Sequence, residues 1–283
     1  MEERPTIEML ERNAAEMRKH LLRLCHRAGS LHIGGDLSMA DLVTALFQYG
    51  LRIDPRRPRW EGRDRFVLSK GHGAGALYVG LAMAGFFDVT ELFERYDTLD
   101  SPFGIHPTAG VPGVEIATGS LGHGLSICVG IALAARLNGA SHRVFTLMGD
   151  GEIQEGSVWE AAMAAKQYRL GNLVAIVDRN GLSLDGETEQ LMGLEPLSDK
   201  WQAFGWRTCT IDGHDMSQIV QMLDGLPPSG STTPTAVIAR TTKGKGVSFM
   251  ENDVNWHAGS IDAGLLERCC HEIDDRLEAK RGA

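Results

Sequence analysis

Helical periodicity is the first hydrophobic pattern along the chain. Between residues 7 and 28, apolar side chains recur every three or four positions, which predicts an amphipathic helix. Its apolar stripe consists of Ile7, Leu10, Ala14, Met17, Leu21 and Leu24. A glycine-bearing turn over 29–35, which contains His32, leads into a second predicted helix. Ser38 is expected to cap the start of that helix.

Further along, short apolar segments alternate with helical ones. Strands are predicted over 65–69, 144–148, 173–177, 207–211 and 235–241. One helix is predicted to follow Gly73 and to end at about Gly85, and another to follow the glycine-rich stretch 104–124 and to end at about Asn138. Further helices are predicted over about 155–169, over about 216–224, and in the charged tail after Glu267. Such alternation predicts the α/β class: a parallel β-sheet with helices on both faces. With no internal repeat or low-complexity linker, we expect one domain over 1–283.

Composition narrows the class of protein. The net charge of −9 argues against nucleic-acid and membrane-surface binding, which need basic patches. No apolar run is long enough for a membrane span, and the first residues lack the layout of a secretion signal. The five cysteines form no CxxC pair, so we expect reduced thiols and a cytoplasmic protein. The 34 glycines are grouped, which favours turns that cradle a ligand.

The most specific motif combines Gly149-Asp150-Gly151, at the end of one predicted strand, with Asn180, at the end of the next. The carboxyl ends of neighbouring parallel strands share the edge at which ligands bind in open α/β sheets. Asp150 and Asn180 would offer two oxygen ligands to one Mg²⁺, which prefers few protein oxygens together with phosphate and water. The two glycines leave room for a diphosphate, and the following helix adds a positive N-terminal end. An ordinary turn is the alternative for GDG alone.

The segment GDGEIQEGSVWEAAMAAKQYRLGNLVAIVDRNGLSLDG, residues 149–186, resembles the thiamine-diphosphate fingerprint of transketolases. Five further blocks follow in the order of that family: Ser30-Leu31-His32, LSKGH, GIHP, GVEIATGSLGHGLS and KGKGVSFMEN…WH. The resemblance implies the thiamine-diphosphate-binding fold, thiamine diphosphate and Mg²⁺ as cofactors, and carbohydrate metabolism through the pentose-phosphate reactions.

The resemblance also implies site residues. The Mg²⁺ ligands would be Asp150, the side chain of Asn180 and the backbone carbonyl of Leu182. Gly119 and Leu121 would pack near the diphosphate and the aminopyrimidine. His123 stands where many relatives carry glutamine, so its cofactor contact is a weaker expectation.

Four histidines lie in or beside loops that contain glycine or proline: His32, His72, His106 and His257. Ketol transfer needs donors for an alkoxide and a base for a neighbouring hydroxyl, and imidazoles serve both purposes near neutral pH. By resemblance, His72 and His257 contact the diphosphate and the reaction centre, while His32 and His106 line the donor-sugar channel. His106 and His257 are expected to handle protons. His214 is expected to be structural.

Full-length transketolases also contain an aminopyrimidine-binding domain and a C-terminal domain, which this sequence does not encode. The resemblance therefore implies a partner chain, the C-terminal subunit, in a heterotetramer of two plus two. Glu155 matches the glutamate that lies near the dimer axis and links two cofactor sites. A helix-start carboxylate is its plain structural interpretation. An exposed apolar face is expected where the partner docks.

Two alternative functions compete with transketolase. One is another thiamine-diphosphate enzyme, either the alpha subunit of a 2-oxo-acid dehydrogenase or a part of a deoxyxylulose-phosphate synthase. The histidine set favours transketolase, because sugar hydroxyls at both donor carbons need polar partners. The other is a non-catalytic scaffold, which would have no need of Asp150, Asn180 and these histidines. The substrates can be standard pentose phosphates or unusual branched or sulfonated sugars.

Overall fold

The computed structural model describes residues 4–281, and a five-stranded sheet forms its centre. The strands are β1 (Arg65–Leu68), β2 (Val144–Gly149), β3 (Leu173–Arg179), β4 (Arg207–Asp212) and β5 (Thr235–Arg240). All pairs are parallel, in the order β1-β2-β3-β5-β4. The predicted parallel sheet is therefore confirmed, with strand bounds within two residues of those expected.

Eleven α-helices surround the sheet within the described residues. They are α1 (Ile7–Ala28), α2 (Ile33–Ser38), α3 (Ala40–Ala45), α4 (Ala74–Met83), α5 (Val89–Arg95), α6 (His123–Leu137), α7 (Gly156–Gln167), α8 (Thr188–Leu191), α9 (Leu197–Ala203), α10 (Met216–Asp224) and α11 (Ala263–Arg281). The first helix has the predicted bounds, and Thr6 caps it by accepting a hydrogen bond from Met9 N. In residues 4–281, no helix combines the length and apolar character that crossing a bilayer requires.

Helices cover both faces of the sheet, as predicted. Alternate residues of β3 divide between two hydrophobic clusters, because successive side chains of a strand point to opposite faces. Val174 and Ile176 pack in the cluster that contains α1 to α4, α10 and α11. Leu173, Ala175 and Val177 pack in the cluster that contains α6, α7 and α9. The sheet is buried on both sides, which explains the continuous apolar runs of its central strands.

Ser38 does not cap a helix, so that expectation was wrong. It is the last residue of α2, and its hydroxyl donates to the carboxylate of Asp178 at the end of β3. Serine is common at helix starts, but here a buried carboxylate takes the hydroxyl instead.

A buried ion pair fixes α1 and α3 to the sheet. The Arg18 guanidinium donates two hydrogen bonds to the Asp41 carboxylate, and each side chain is about 10% exposed. His214, in the turn after β4, donates from Nδ1 to Asp41 at 2.8 Å, while its Nε2 accepts from Thr242 N. Burial alone would raise the pKa of Asp41, but Arg18 and His214 hold it well below its usual value.

We predict that Asp41→Ala lowers the free energy of unfolding by about 3 kcal/mol or more, because it leaves the Arg18 charge buried without a partner. Urea unfolding at neutral pH measures the change. The exposed Glu91–Arg95 pair on α5 provides the control, and Glu91→Ala should cost less than about 1 kcal/mol. Equal losses for the two variants would contradict the prediction.

Candidate active site

Asp150 and Asn180 come together at the carboxyl edge of the sheet. Strands β2 and β3 are direct neighbours, and Gly149 is in register with Asp178. The loops that follow them therefore lie side by side, and Asp150 Oδ2 accepts a hydrogen bond from Gly181 N at 2.6 Å. Both side chains line a cleft of about 480 Å³. The predicted proximity of the two side chains is confirmed.

The buried carboxylate of Asp178 organises the floor of this cleft. It is fully shielded from solvent and accepts hydrogen bonds from Ser38, Lys70 and Thr241. Although burial opposes the charged form, Lys70 and these hydrogen bonds keep the pKa of Asp178 below its usual value. One charged group thus joins α2 to the loops that follow β1, β3 and β5.

The same carboxylate orients Asn180. Its Nδ2 donates to Ser38 Oγ at 3.2 Å and to Asp178 Oδ2 at 3.4 Å. Oδ1 of Asn180 therefore points the other way, where it accepts from Leu182 N at 3.0 Å and keeps one lone pair free for a cation. This orientation is assigned from the hydrogen-bond network.

Asp150 is held by backbone and by Arg179. Its Oδ1 accepts from Gly151 N at 2.8 Å, and its Oδ2 accepts from Arg179 Nη1 at 3.0 Å as well as from Gly181 N. Burial, followed by the neighbouring charge of Asp178, raises the pKa of Asp150. A divalent cation at this place would favour the charged carboxylate.

The Leu182 carbonyl faces the cleft beside a buried lysine. Lys243 Nζ donates to the carbonyls of Leu182, at 3.4 Å, and Ser183, at 2.7 Å. It also lies 2.9 Å from His257 Nδ1. A lysine ammonium has only donors, so Nδ1 of His257 accepts and its proton resides on Nε2. Burial and the charge of Lys70 lower the pKa of Lys243 to about 8.

Three of the four predicted histidines form one cluster. The ring centroids of His32 and His72 are 5.3 Å apart, those of His32 and His257 are 5.6 Å apart, and the rings of His72 and His257 stack at 5.3 Å. The cluster depends on a backbone bridge, in which Leu31 and Gly259 exchange two hydrogen bonds of 3.0 Å. Because these rings crowd together and are partly buried, they favour the neutral state.

His106 lies at the edge of this cluster. Its ring packs on Gly119, where an added Cβ would lie 3.2 Å from Cδ2 of His106. Tyr78, fully buried on α4, holds the loop: its hydroxyl donates to His106 O at 2.9 Å and accepts from Thr108 N at 3.0 Å. His106 and the Gly119 loop are therefore neighbours.

The remaining predicted contacts lie on one side of the cleft. Leu121 lines the cleft, whereas His123 is exposed at the start of α6 and its Nδ1 lies 3.1 Å from Leu121 O. Glu155 is exposed immediately before α7 and packs close to Gly122. Gly149 and Gly151 border the cleft next to Asp150.

Sequence reasoning missed five charged residues around the cleft: Lys70, Glu152, Asp178, Arg179 and Lys243. Lys70 and Lys243 stand within the blocks LSKGH and KGKG, so the signal was present but was assigned to the neighbouring residues. In the sequence, Asp178 is a polar residue at the end of an apolar strand, and its neighbours in the sequence give no sign that it is buried. Glu152 resembles any first-turn carboxylate.

The donor set suits Mg²⁺ and a diphosphate. One carboxylate, one amide oxygen and one carbonyl are hard oxygen donors, and Mg²⁺ completes its shell with phosphate and water. Buried Lys243 adds a positive charge beside them. The fold and site define a class of α/β protein whose ligand cleft lies at the carboxyl edge of a parallel sheet.

Comparison with known proteins identifies the family within this class. Residues 11–269 match the family model described as "Transketolase, thiamine diphosphate binding domain". The chain belongs to the transketolase family and corresponds to its N-terminal, thiamine-diphosphate-binding part. The predicted family, the α/β thiamine-diphosphate-binding fold and the ketol-transfer class of reaction are thereby confirmed, as opposed to a dehydrogenase subunit.

Similar proteins include separate subunits and longer chains. The chain is 44% identical over 274 residues to one subunit of the apulose-4-phosphate transketolase of Phocaeicola vulgatus, covering 96% of each. It is 41% identical over 269 residues to one subunit of the 6-deoxy-6-sulfo-D-fructose transketolase of a Clostridium species, covering 94% of this chain and 96% of the relative. The crystal structure of Campylobacter jejuni transketolase superposes with a TM-score of 0.85 at 31% identity. That match covers 95% of this chain but only 43% of the other.

The histidine cluster predicts a pH dependence of stability. Burial and the charge of Lys70 lower the pKa of His72 to about 2, and burial and Lys243 lower that of His257 to about 4. In the unfolded chain both titrate near 6.5. Between pH 6.5 and 4 the unfolded state binds more protons than the folded state. The contribution of these histidines to the free energy of unfolding is therefore fully present above pH 6.5 and is lost as the pH falls.

We therefore expect His72→Gln to reduce the slope of the free energy of unfolding against pH, between pH 6.5 and 5, by up to about 1.4 kcal/mol per pH unit. Urea unfolding of wild type and variant at several pH values measures the slopes. At pH 8, the difference in the free energy of unfolding between wild type and variant gives the cost of the altered packing alone. Identical slopes would show that His72 takes up its proton in the folded protein as readily as in the unfolded one.

Proposed function

We propose that this chain is the diphosphate-binding subunit of a two-subunit transketolase that moves a two-carbon ketol unit from a ketose to an aldose. The observation that carries the proposal is one shared cleft. Asp150, Asn180 and Leu182 line it together with His72 and His257, and these two histidines pack against His32. Ketol transfer through this cofactor needs oxygen ligands for a metal ion and neutral imidazoles next to each other.

Mg²⁺ would be held by the Asp150 carboxylate, Oδ1 of Asn180 and the Leu182 carbonyl. The diphosphate would lie against the backbone of Gly149 and Gly151, with Lys243 supplying positive charge. Gly119, Leu121 and His123 would border the remainder of the cofactor, and His72 and His257 would contact it near the reaction centre. Thiamine diphosphate supplies the nucleophilic carbon to which a ketol unit attaches.

The chain's own residues would bind the sugar and move protons. His257 presents its Nε2 proton, because Lys243 occupies Nδ1, and it can therefore donate to a developing alkoxide. His106 is partly exposed at the rim and is suited to exchange a proton with the neighbouring hydroxyl. His32, which packs against both His72 and His257, would orient the donor sugar.

A partner would complete the active site. Leu184, Leu191 and Met192 line the mouth of the cleft and are 52–61% exposed, an apolar wall that faces solvent. Further exposed apolar side chains belong to α6 (Ile127 and Leu137) and to α7 (Met163). Relatives whose own length this chain covers almost completely include proteins named as subunits. The C-terminal subunit, carrying the aminopyrimidine-binding domain, would cover these surfaces.

The proposed assembly contains two copies of each chain. Glu155 is exposed where α6 and α7 begin and would lie near the axis that relates the two cofactor sites. The partner would supply most of the grip on the sugar phosphate. The substrates would be phosphorylated pentoses or a branched or sulfonated sugar. The reduced thiols favour a cytoplasmic location.

We predict that His257→Ala and His106→Ala each lower turnover by about two orders of magnitude, the usual scale for losing a general acid–base group or an oxyanion donor. Steady-state ketol transfer in the reconstituted complex measures this effect. Cofactor affinity, titrated in parallel, should change much less than in Asp150→Ala, for which a loss of at least tenfold is expected. Turnover near wild type would assign the two histidines a structural role only.

We also predict that the chain alone, saturated with thiamine diphosphate and Mg²⁺, shows no ketol transfer. Adding a C-terminal partner subunit should restore activity and tighten cofactor binding together, because one closed pocket is built from both chains. Activity and affinity are measured for each chain alone and for the mixture, over a panel of donor and acceptor sugars. Robust turnover by this chain alone would refute the two-subunit arrangement.

A further inference from the structure

Glu152 is a buried carboxylate in the wall of the cleft, two residues after Asp150. The residue is 3% exposed and opens the short 3₁₀ turn Glu152–Gln154. Its carboxylate accepts hydrogen bonds from the Ser69 hydroxyl, from Gly122 N at 3.0 Å and from Gly149 N at 3.0 Å. Three donors on one buried carboxylate satisfy its charge without a metal or a salt bridge.

The three donors come from three separate segments of the cleft. Ser69 immediately precedes the Lys70-Gly71-His72 turn, Gly122 separates Leu121 from His123, and Gly149 immediately precedes Asp150. Each segment carries residues to which we assigned the cofactor. One carboxylate is therefore the common acceptor for all three loops.

Close packing around these loops keeps their donors buried if the acceptor is lost. A Cβ at Gly124 would lie 2.8 Å from Ser69 Cα, so the start of α6 touches the end of β1. Gly122 has a φ of +83°, which few other residues adopt, and Thr118 Oγ1 donates to Leu68 O at 2.7 Å. A donor deprived of its acceptor here would remain buried and unpaired.

Each carboxylate oxygen of Glu152 accepts from at least one backbone amide. Oε1 takes the Ser69 and Gly122 donors, and Oε2 takes the Gly149 donor. In a glutamine, the amide NH₂ replaces one oxygen and would meet a donor on whichever side it turned. The change keeps shape and volume and removes only the pattern of acceptors.

We propose that Glu152 is the positioning residue that sets the spacing of the three cofactor loops, acting through the Gly122 and Gly149 amides and the Ser69 hydroxyl. A carboxylate in the wall of an anion site is repulsive unless its charge is engaged, and here three donors engage it. The inference rests on the proposed function and assigns Glu152 a positioning role through its three hydrogen-bond donors.

The test compares Glu152→Gln with wild type in two measurements. Segment-resolved hydrogen exchange of the chain alone should show amides in 118–123 and 149–151 exchanging at least tenfold faster, with β3 and β5 unchanged. In the reconstituted complex, thiamine-diphosphate affinity at saturating Mg²⁺ should fall at least tenfold, while kcat at saturating cofactor stays within about threefold. Glu94→Gln, the same change at an exposed position on α5, should alter neither.

Unchanged exchange in both loops, or faster exchange spread equally over the central strands, would overturn the proposal. The first result would mean that the contacts do not order the loops, and the second that Glu152 only supports the fold. Asp150→Ala separates this outcome from failure of the proposed function. If that variant also retains Mg²⁺-dependent cofactor binding, the assignment of the cleft itself fails.

Discussion

The site depends on the ion pair and the hydrogen bonds of one buried carboxylate, that of Asp178. A charge without solvent must be matched, and Lys70, Ser38 and Thr241 match it from three different segments. Those segments carry the histidine turn, the end of α2 and the loop that leads to Lys243. Asn180 takes its orientation from the same carboxylate. Loss of this charge would release the side chain of Asn180 and would also leave Lys70 without a counter-ion.

Two kinds of electrostatic environment adjoin each other in the cleft. On the side of Asp150, a carboxylate, the side-chain oxygen of Asn180 and the carbonyl of Leu182 are hard oxygen donors that would suit a divalent cation. On the histidine side, burial and the nearby lysines hold His72 and His257 neutral, so they act as uncharged donors and acceptors near neutral pH. The lysines therefore serve both sides, because the charge that attracts a diphosphate also keeps the imidazoles unprotonated.

The sequence predicted the features that follow from periodicity and strand order. The parallel sheet, the bounds of α1 and the meeting of Asp150 with Asn180 depend on local patterns and on the rule that consecutive parallel strands lie near each other. The buried network could not be predicted in this way. Ser38 was expected at a helix start because its preference for that position is local, whereas its partner Asp178 lies 140 residues away. The role of Glu152 likewise depends on loops that meet only in the folded chain.

The bridge between Leu31 and Gly259 has a consequence for synthesis on the ribosome. It joins the first histidine segment to the last, so the cluster of His32, His72 and His257 cannot form until the chain has been made as far as Gly259. The sheet and the Asp150 loop need less of the chain and can pair earlier. A nascent chain would therefore bring Asp150 and Asn180 together before it brings the three histidines together.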